Sequence, residues 1–150
     1  IDLRELTIEC NPDDVTEAFA ARLATLNVNR VSMGAQTFNN NRLRFLHRRH
    51  NREEIMQAVN YLRHVGIKNI SIDLIFGFPE ETMKEWQTDL QEAIKLNVEH
   101  ISAYSLMYEE GTPLFHMKQE KKIKDIDEET SLAMYEMLIN LLTKAGYEHY

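Results

Sequence analysis

The chain has 150 residues, 43% apolar and 27% charged, a balance that fits a folded globular domain and not a disordered one. Its formal charge of −7 argues against nonspecific binding to nucleic acid or anionic membrane, and no apolar run approaches the roughly 18 residues of a membrane span. The single cysteine, Cys10, excludes an internal disulfide and any multi-cysteine metal site within these residues, and it agrees with a reducing, cytoplasmic setting.

The opening residues hold no basic, apolar-cored leader. Leu6 to Cys10 predicts a first strand, followed by a turn at Asn11-Pro12-Asp13-Asp14 and a helix from Thr16 to Leu26. Arg30 to Ala35 predicts a second strand, then a short helical stretch from Asn41 to Leu46 and a helix from Arg52 to His64. Asn69 to Phe76 is the third expected strand, ended by Gly77-Phe78-Pro79. The helix expected from Glu81 to Leu96 carries apolar residues at Met83, Trp86, Leu90, Ala93 and Ile94. His100 to Leu106 predicts a fourth strand, with a loop through Glu110-Gly111-Thr112-Pro113 behind it. Asp125, Asp127, Glu128 and Glu129 mark the start of a last helix, Glu128 to Lys144, in which Met134 and Met137 read as core filler.

The joints between helix and strand resemble one another. Asn27-Val28-Asn29-Arg30-Val31-Ser32 matches Gly66-Ile67-Lys68-Asn69-Ile70-Ser71 and Asn97-Val98-Glu99-His100-Ile101-Ser102. Each puts Asn or Gly where a helix ends, a residue that tolerates the left-handed conformation. Glu5-Leu6-Thr7 fits the last part of the pattern, and Ala145-Gly146-Tyr147-Glu148 predicts a joint opening one more strand. Repeated (βα) units imply parallel strands with right-handed crossovers.

The joints also predict which way side chains point, because strand side chains alternate. Aligning the units on Thr7, Ser32, Ser71 and Ser102 places Glu9, Gly34, Asp73 and Tyr104 on one face, joined by Gln36. Leu6, Ile8, Val31, Met33, Ala35, Ile70, Ile72, Leu74, Ile101 and Ala103 take the other face, which must pack on the helices. A doubly wound sheet is apolar on both faces, and a closed barrel fills its interior with Val, Ile and Leu. One polar face therefore predicts an α/β fold in which parallel (βα) units form part of a barrel with a ligand-lined interior.

Asp73 is costly to bury alone and reads either as a brace for nearby loops or as an acceptor for a ligand hydroxyl or amine. Glu9 ends its strand at the face where parallel barrels bind ligands; Asp13 or Asp14 suits the role of cap to the next helix better. Gln36 offers an amide for recognition. His47 and His50 have a metal-compatible spacing, but no acidic or cysteine partner stands nearby, so a solvated basic corner is expected. Arg48 or Arg49 can reach an anion. No metal ligand is assigned, and no nucleophile–base arrangement or phosphate-binding glycine motif is present.

Leu6-Thr7-Ile8-Glu9-Cys10-Asn11-Pro12, Asn29 to Phe38, Ile72 to Pro79 and His100 to Leu106 resemble the radical S-adenosylmethionine proteins of the oxygen-independent coproporphyrinogen III oxidase family. The fourth-strand motif and Glu110-Gly111-Thr112-Pro113 are more similar to its HemW-type haem-chaperone branch. The resemblance covers essentially the whole chain. It implies a partial (βα)6 TIM-like barrel, with residues 1–150 forming the C-terminal part of the radical S-adenosylmethionine core, about strands 3 to 6. It implies that Glu9, Gln36, Arg48 and Asp73 contact S-adenosylmethionine and that Met107 contacts it through its backbone. It implies a [4Fe–4S] cluster that cleaves the ligand reductively, and a porphyrin or haem partner. The intact protein is then a haem chaperone or an oxidoreductase that converts a porphyrinogen propionate to a vinyl group.

The family's Cys-x-x-x-Cys-x-x-Cys motif is absent, as is its glycine-rich methionine-binding segment, so the cluster ligands are expected outside this chain and the chain alone is expected to be inactive. Glu81 replaces a common family glutamine. No nucleic-acid partner or membrane span is expected, and self-association through open barrel edges is.

Overall fold

The computed structural model describes residues 4–150. Two compact units are present, one formed by the chain up to Leu74 with Glu92–Ser102, the other by Ile75–Gln91 with Ala103–Tyr150. The elements are β1 (Thr7–Cys10), α1 (Glu17–Thr25), β2 (Arg30–Gln36), α2 (Asn40–Phe45), α3 (Arg52–His64), β3 (Asn69–Phe76), α4 (Met83–Lys95), β4 (His100–Ser105), α5 (Pro113–Gln119) and α6 (Glu128–Lys144). Four strands form one sheet in the order β1-β2-β3-β4. β1 pairs with β2, and β2 with β3, in parallel.

In the first unit the helix ends have the conformation that the repeated joint predicts. Asn27, Gly66 and Asn97 have φ of 59°, 90° and 53°. Val28 N–H donates to the Leu23 carbonyl at 3.2 Å and Ile67 N–H to the Leu62 carbonyl at 3.0 Å, the bonds that close a left-handed helix end. At the first and third of these joints the next polar residue ties the new strand to the one before. Asn29 Oδ1 accepts from Leu6 N–H at 2.8 Å, and Glu99 Oε2 accepts from Ile70 N–H at 3.3 Å.

With strand phase fixed, the apolar face forms the core. Val31, Met33, Ala35, Ile70, Ile72 and Leu74 are fully buried, as are Ala20, Ile55, Ala58 and Leu62 of the helices. On the edge strands the same face is less well covered: Leu6 is exposed and Ile8 and Ile101 are partly so. α1 packs against α3. Thr16, and not Asp13 or Asp14, caps α1, its hydroxyl accepting from Phe19 N–H at 3.1 Å; Asp14 instead accepts from Asn11 N–H and closes the short 3₁₀ turn at Pro12–Asp14.

The strand register corrects one feature of the alignment. Glu9 lies beside Ser32 and not beside Gly34, while Ser32 lies beside Ser71. β1 is thus staggered by two residues against the sequence alignment. The side-chain faces are unchanged by an even slip, and stagger is what tilted strands of a barrel require.

In the second unit Trp86 is fully buried, 5.2 Å from the Phe76 ring, and its indole N–H donates to the Met134 carbonyl at 2.9 Å. Met134 is core, as expected, whereas Met137 is half-buried. Gly77 turns the chain after β3 with φ of 85°, and Glu81 Oε1 accepts its N–H at 2.8 Å, so the buried Glu81 carboxylate closes this turn. Asp127 caps α6 by accepting from Thr130 N–H at 2.7 Å.

Two expectations fail here. The loop after β4 contains a helix, α5, started by the Thr112 cap and by Pro113 in its first turn. At the end of α6, Gly146 has φ of 96° and Tyr147 N–H bonds the Leu142 carbonyl at 3.0 Å, so the joint forms, but no strand succeeds it among the described residues. No helix among the described residues is long and apolar enough to cross a membrane. Replacing Trp86 by Phe removes the indole bond, which the Met134 carbonyl accepts in addition to the ordinary bond of its helix; urea unfolding is expected to show a loss of about 0.5–1.5 kcal/mol.

Candidate ligand site at the strand ends

The site is built where β1 and β2 end. At Gln36 the backbone turns left-handed, φ 69°, and Thr37 N–H bonds back to the Ala35 carbonyl at 2.9 Å. A non-glycine residue is sterically disfavoured there. The β2–β3 ladder shifts between Met33 and Gln36, so this is a strand-end bulge that re-aims a side chain. The Gln36 side chain folds back over Gly34: a Cβ added at Gly34 would stand 2.8 Å from Gln36 Nε2 and 3.1 Å from the Arg48 guanidinium. Glycine at this strand position is what admits both side chains.

Arg48 arrives from the other side. α2 ends on His47, left-handed at φ 57°, with Arg48 N–H bonding the Leu43 carbonyl at 2.9 Å. That cap aims the arginine at the strand ends. Its guanidinium donates to Asn11 Oδ1 at 2.7 Å and reaches the Gly34 carbonyl at 3.4 Å. Asn11, expected only as a turn residue, is Arg48's anchor. Arg49 points elsewhere, pairing with Asp13 at 3.2 Å and Asp14 at 3.5 Å.

The acidic half lies on the same sheet. Glu9 is exposed and Asp73 half-buried, both on the polar face. Burial pushes the Asp73 carboxyl above the ordinary carboxylate range; the Glu9 charge pushes the same way, and His100 and Arg30 oppose it. His100 Nδ1 also lies 3.0 Å from the Ser71 hydroxyl. Carboxylates on β1 and β3 suit a cationic or hydroxyl-bearing group, whereas Gln36 and Arg48 suit a carboxylate. Four of the five residues singled out in the sequence, Glu9, Gln36, Arg48 and Asp73, therefore belong to the first unit's polar face and strand ends. Met107 belongs to the second unit, on the exposed segment after β4.

The solvated basic corner holds for His47 and Arg49, which are exposed, but not for His50. His47 is an exposed helix cap, and His50 is buried with Nε2 3.0 Å from the Ala35 carbonyl. Among the described residues no group of three His, Cys, Asp or Glu side chains could hold a metal ion. Cys10 is the chain's one cysteine, and burial, aided by Asp14, pushes its thiol up to about 12. These residues do not fit an iron–sulfur cluster, which needs several thiolates.

A parallel sheet with a polar face and ligand-type side chains at its C-terminal strand ends defines the ligand-holding part of an α/β barrel. The family model described as the radical SAM superfamily matches residues 1–93, and the chain belongs to that superfamily. It is 35% identical over 148 residues to the haem chaperone HemW of Lactococcus lactis, covering 99% of this chain and 39% of that protein. HemW of Bacillus subtilis is 33% identical over 149 residues, again 99% of this chain and 39% of that protein. Among solved structures, coproporphyrinogen III oxidase HemN of Escherichia coli, a radical SAM enzyme, superposes with a TM-score of 0.81 at 28% identity, covering 96% of this chain and 33% of that one. The fold is thus that of a radical SAM TIM-like barrel, and the chain spans about two fifths of the length of the HemW proteins it matches.

Incubating the chain with iron and sulfide is expected to give no stable iron–sulfur absorption, and Cys10 is expected to alkylate at pH 8 far more slowly than a free thiol. A stable cluster spectrum contradicts the ligand count.

Proposed function

We propose that the chain is the S-adenosylmethionine-binding portion of a HemW-type haem chaperone, carrying the third to sixth strands of its barrel. The observation that carries this reading is the presence of two chemistries on one sheet: Gln36 and Arg48 folded over Gly34, and the Glu9 and Asp73 carboxylates, near enough for the one charge to act on the other. S-adenosylmethionine has complementary parts, a carboxylate, a cationic ammonium and sulfonium, and ribose hydroxyls. In this reading Arg48 and Gln36 take the carboxylate end, and Asp73 and Glu9 take the cationic or hydroxyl-bearing end. A [4Fe–4S] cluster of the kind the family implies would have to be held by thiolates outside these residues, and it would supply reducing power to the bound sulfonium. The names of the sequence relatives support haem as the partner of the whole protein. Self-association would use the edges of the sheet, β1 and β4.

A second reading, an oxygen-independent coproporphyrinogen oxidase, is favoured by the likeness to HemN. Haem titration set against assay of coproporphyrinogen conversion, on a polypeptide that joins this chain to a three-cysteine segment of the family, separates the two. Haem binding without conversion is expected.

Asp73 allows a sharper test of the ligand site. Its folded-state pKa is raised, so the folded protein holds the proton more tightly than the unfolded chain, and stability falls as pH rises above the ordinary carboxylate value. Asp73→Asn removes that ionisation. At pH 7 it is expected to raise the unfolding midpoint while weakening S-adenosylmethionine binding by about 1–3 kcal/mol, the pattern of a residue kept for function at the expense of stability. Lower stability with unchanged affinity would make Asp73 a structural brace.

A further inference from the structure

His50 is the one histidine of the first unit that is almost wholly buried, at 3% exposure, and the ligand chemistry above leaves it unused. Its Nε2 lies 3.0 Å from the Ala35 carbonyl. A carbonyl only accepts, so Nε2 carries the proton and Nδ1 does not. Nδ1 is itself buried with no hydrogen-bond partner. The same Ala35 carbonyl accepts from Thr37 N–H at 2.9 Å, so one oxygen takes two donors at the point where the chain turns left-handed. Two residues before His50 is Arg48, on Asn11 and Gly34.

We propose that His50 is a positioning residue whose neutral imidazole clamps the Ala35 carbonyl and so holds the left-handed turn at Gln36, setting Gln36 and Arg48 over Gly34. The proposal rests, for its consequence on ligand binding, on the site reading above. The clamp explains how a bulky residue stays left-handed at the end of a strand: the cost of that conformation is offset by a buried bond from the ring to the carbonyl just before it. It also makes the site sensitive to protonation. A second proton would put a charge and an N–H donor at buried Nδ1, where no acceptor waits.

The charged groups around the ring are Arg48 from its own loop, Asp13 from the turn after β1, and Glu54 from α3. Burial is the largest influence and holds the imidazole below its ordinary value; Arg48 acts with it, the Ala35 bond and the two carboxylates against it. With a depressed folded-state value, the stabilising contribution is complete above the ordinary imidazole pKa of about 6.5 and is lost as pH falls through the folded-state value.

The test compares the chain with His50→Gln, whose amide N–H can replace the Nε2 donor, and His50→Phe, which keeps a ring and loses the donor. The direct readout is the Gln36 backbone, monitored by its N–H to Hα coupling and Cα shift in NMR. The left-handed signature is expected in the parent chain and in His50→Gln and is expected to vanish in His50→Phe. Affinity for S-adenosylmethionine is expected to fall about tenfold in His50→Phe and to be restored in His50→Gln. As pH is lowered through the depressed folded-state value of His50, affinity is expected to weaken more in the parent than in His50→Gln. Other groups titrate alike in both proteins and cancel. A left-handed Gln36 in folded His50→Phe overturns the proposal, as does a His50→Gln protein without it. If the parent binds no S-adenosylmethionine, the site reading falls, and the Gln36 signature still decides the role of His50.

Discussion

The first unit depends on one backbone constraint, repeated at each joint: a helix ends on a left-handed residue, and the chain leaves in a fixed phase. Asn27, Gly66 and Asn97 make this turn. Because strand side chains alternate, the phase at the joint decides every later position. It sends Val31, Met33 and Ala35 into the core along with Ile70, Ile72 and Leu74, and it sends Ser32, Gly34, Ser71 and Asp73 to the other side. A slip of one residue would expose the first set and bury Asp73 among the helices, at a cost of several kcal/mol for an unpaired carboxylate. Asn29 and Glu99 lock the phase by bonding the N–H groups at the start of the preceding strand.

The same left-handed geometry is used a second time, for placement of side chains. His47 ends α2 as Asn27 ends α1, but the residue delivered by the turn is Arg48 and no strand begins there. At Gln36 the turn comes at a strand's end and bends a side chain back over Gly34. Arg48 and Gln36 approach from different elements and meet because Gly34 has no side chain. The arrangement places donors at the strand ends and acids on the sheet below them.

Much of this is legible in the sequence, for a physical reason. Parity is a property of the chain itself, so Glu9, Asp73 and the core residues can be assigned to faces without coordinates. The joints are legible because Asn and Gly at a helix end have few other physical roles. Quantities that depend on two segments meeting are not legible. The two-residue stagger of β1 is set by sheet geometry, and the alignment of Thr7 with Ser32 carries no sign of it. Asn11 looks like any turn residue until Arg48 is placed on it. His50 belongs to a basic run, which suggests solvation; its burial comes from packing under the end of β2. The helix α5 has a signal, Thr112 before Pro113, that a loop would share. Glu81 is unexplained in the sequence because its partner is a backbone N–H, that of Gly77.

Membership of the radical SAM superfamily is what makes S-adenosylmethionine the ligand proposed for the polar row, and a single, partly buried cysteine does not fit an iron–sulfur cluster. The central claim is that Glu9, Gln36, Arg48 and Asp73 form one half of a binding site for S-adenosylmethionine. The most direct measurement is NMR mapping of the isotopically labelled chain during titration with that ligand. Saturable shifts concentrated at Glu9, Gln36, Arg48 and Asp73, with smaller ones at Asn11 and Gly34, are predicted. Saturable shifts confined to other surfaces, with these six residues unmoved, would contradict the account.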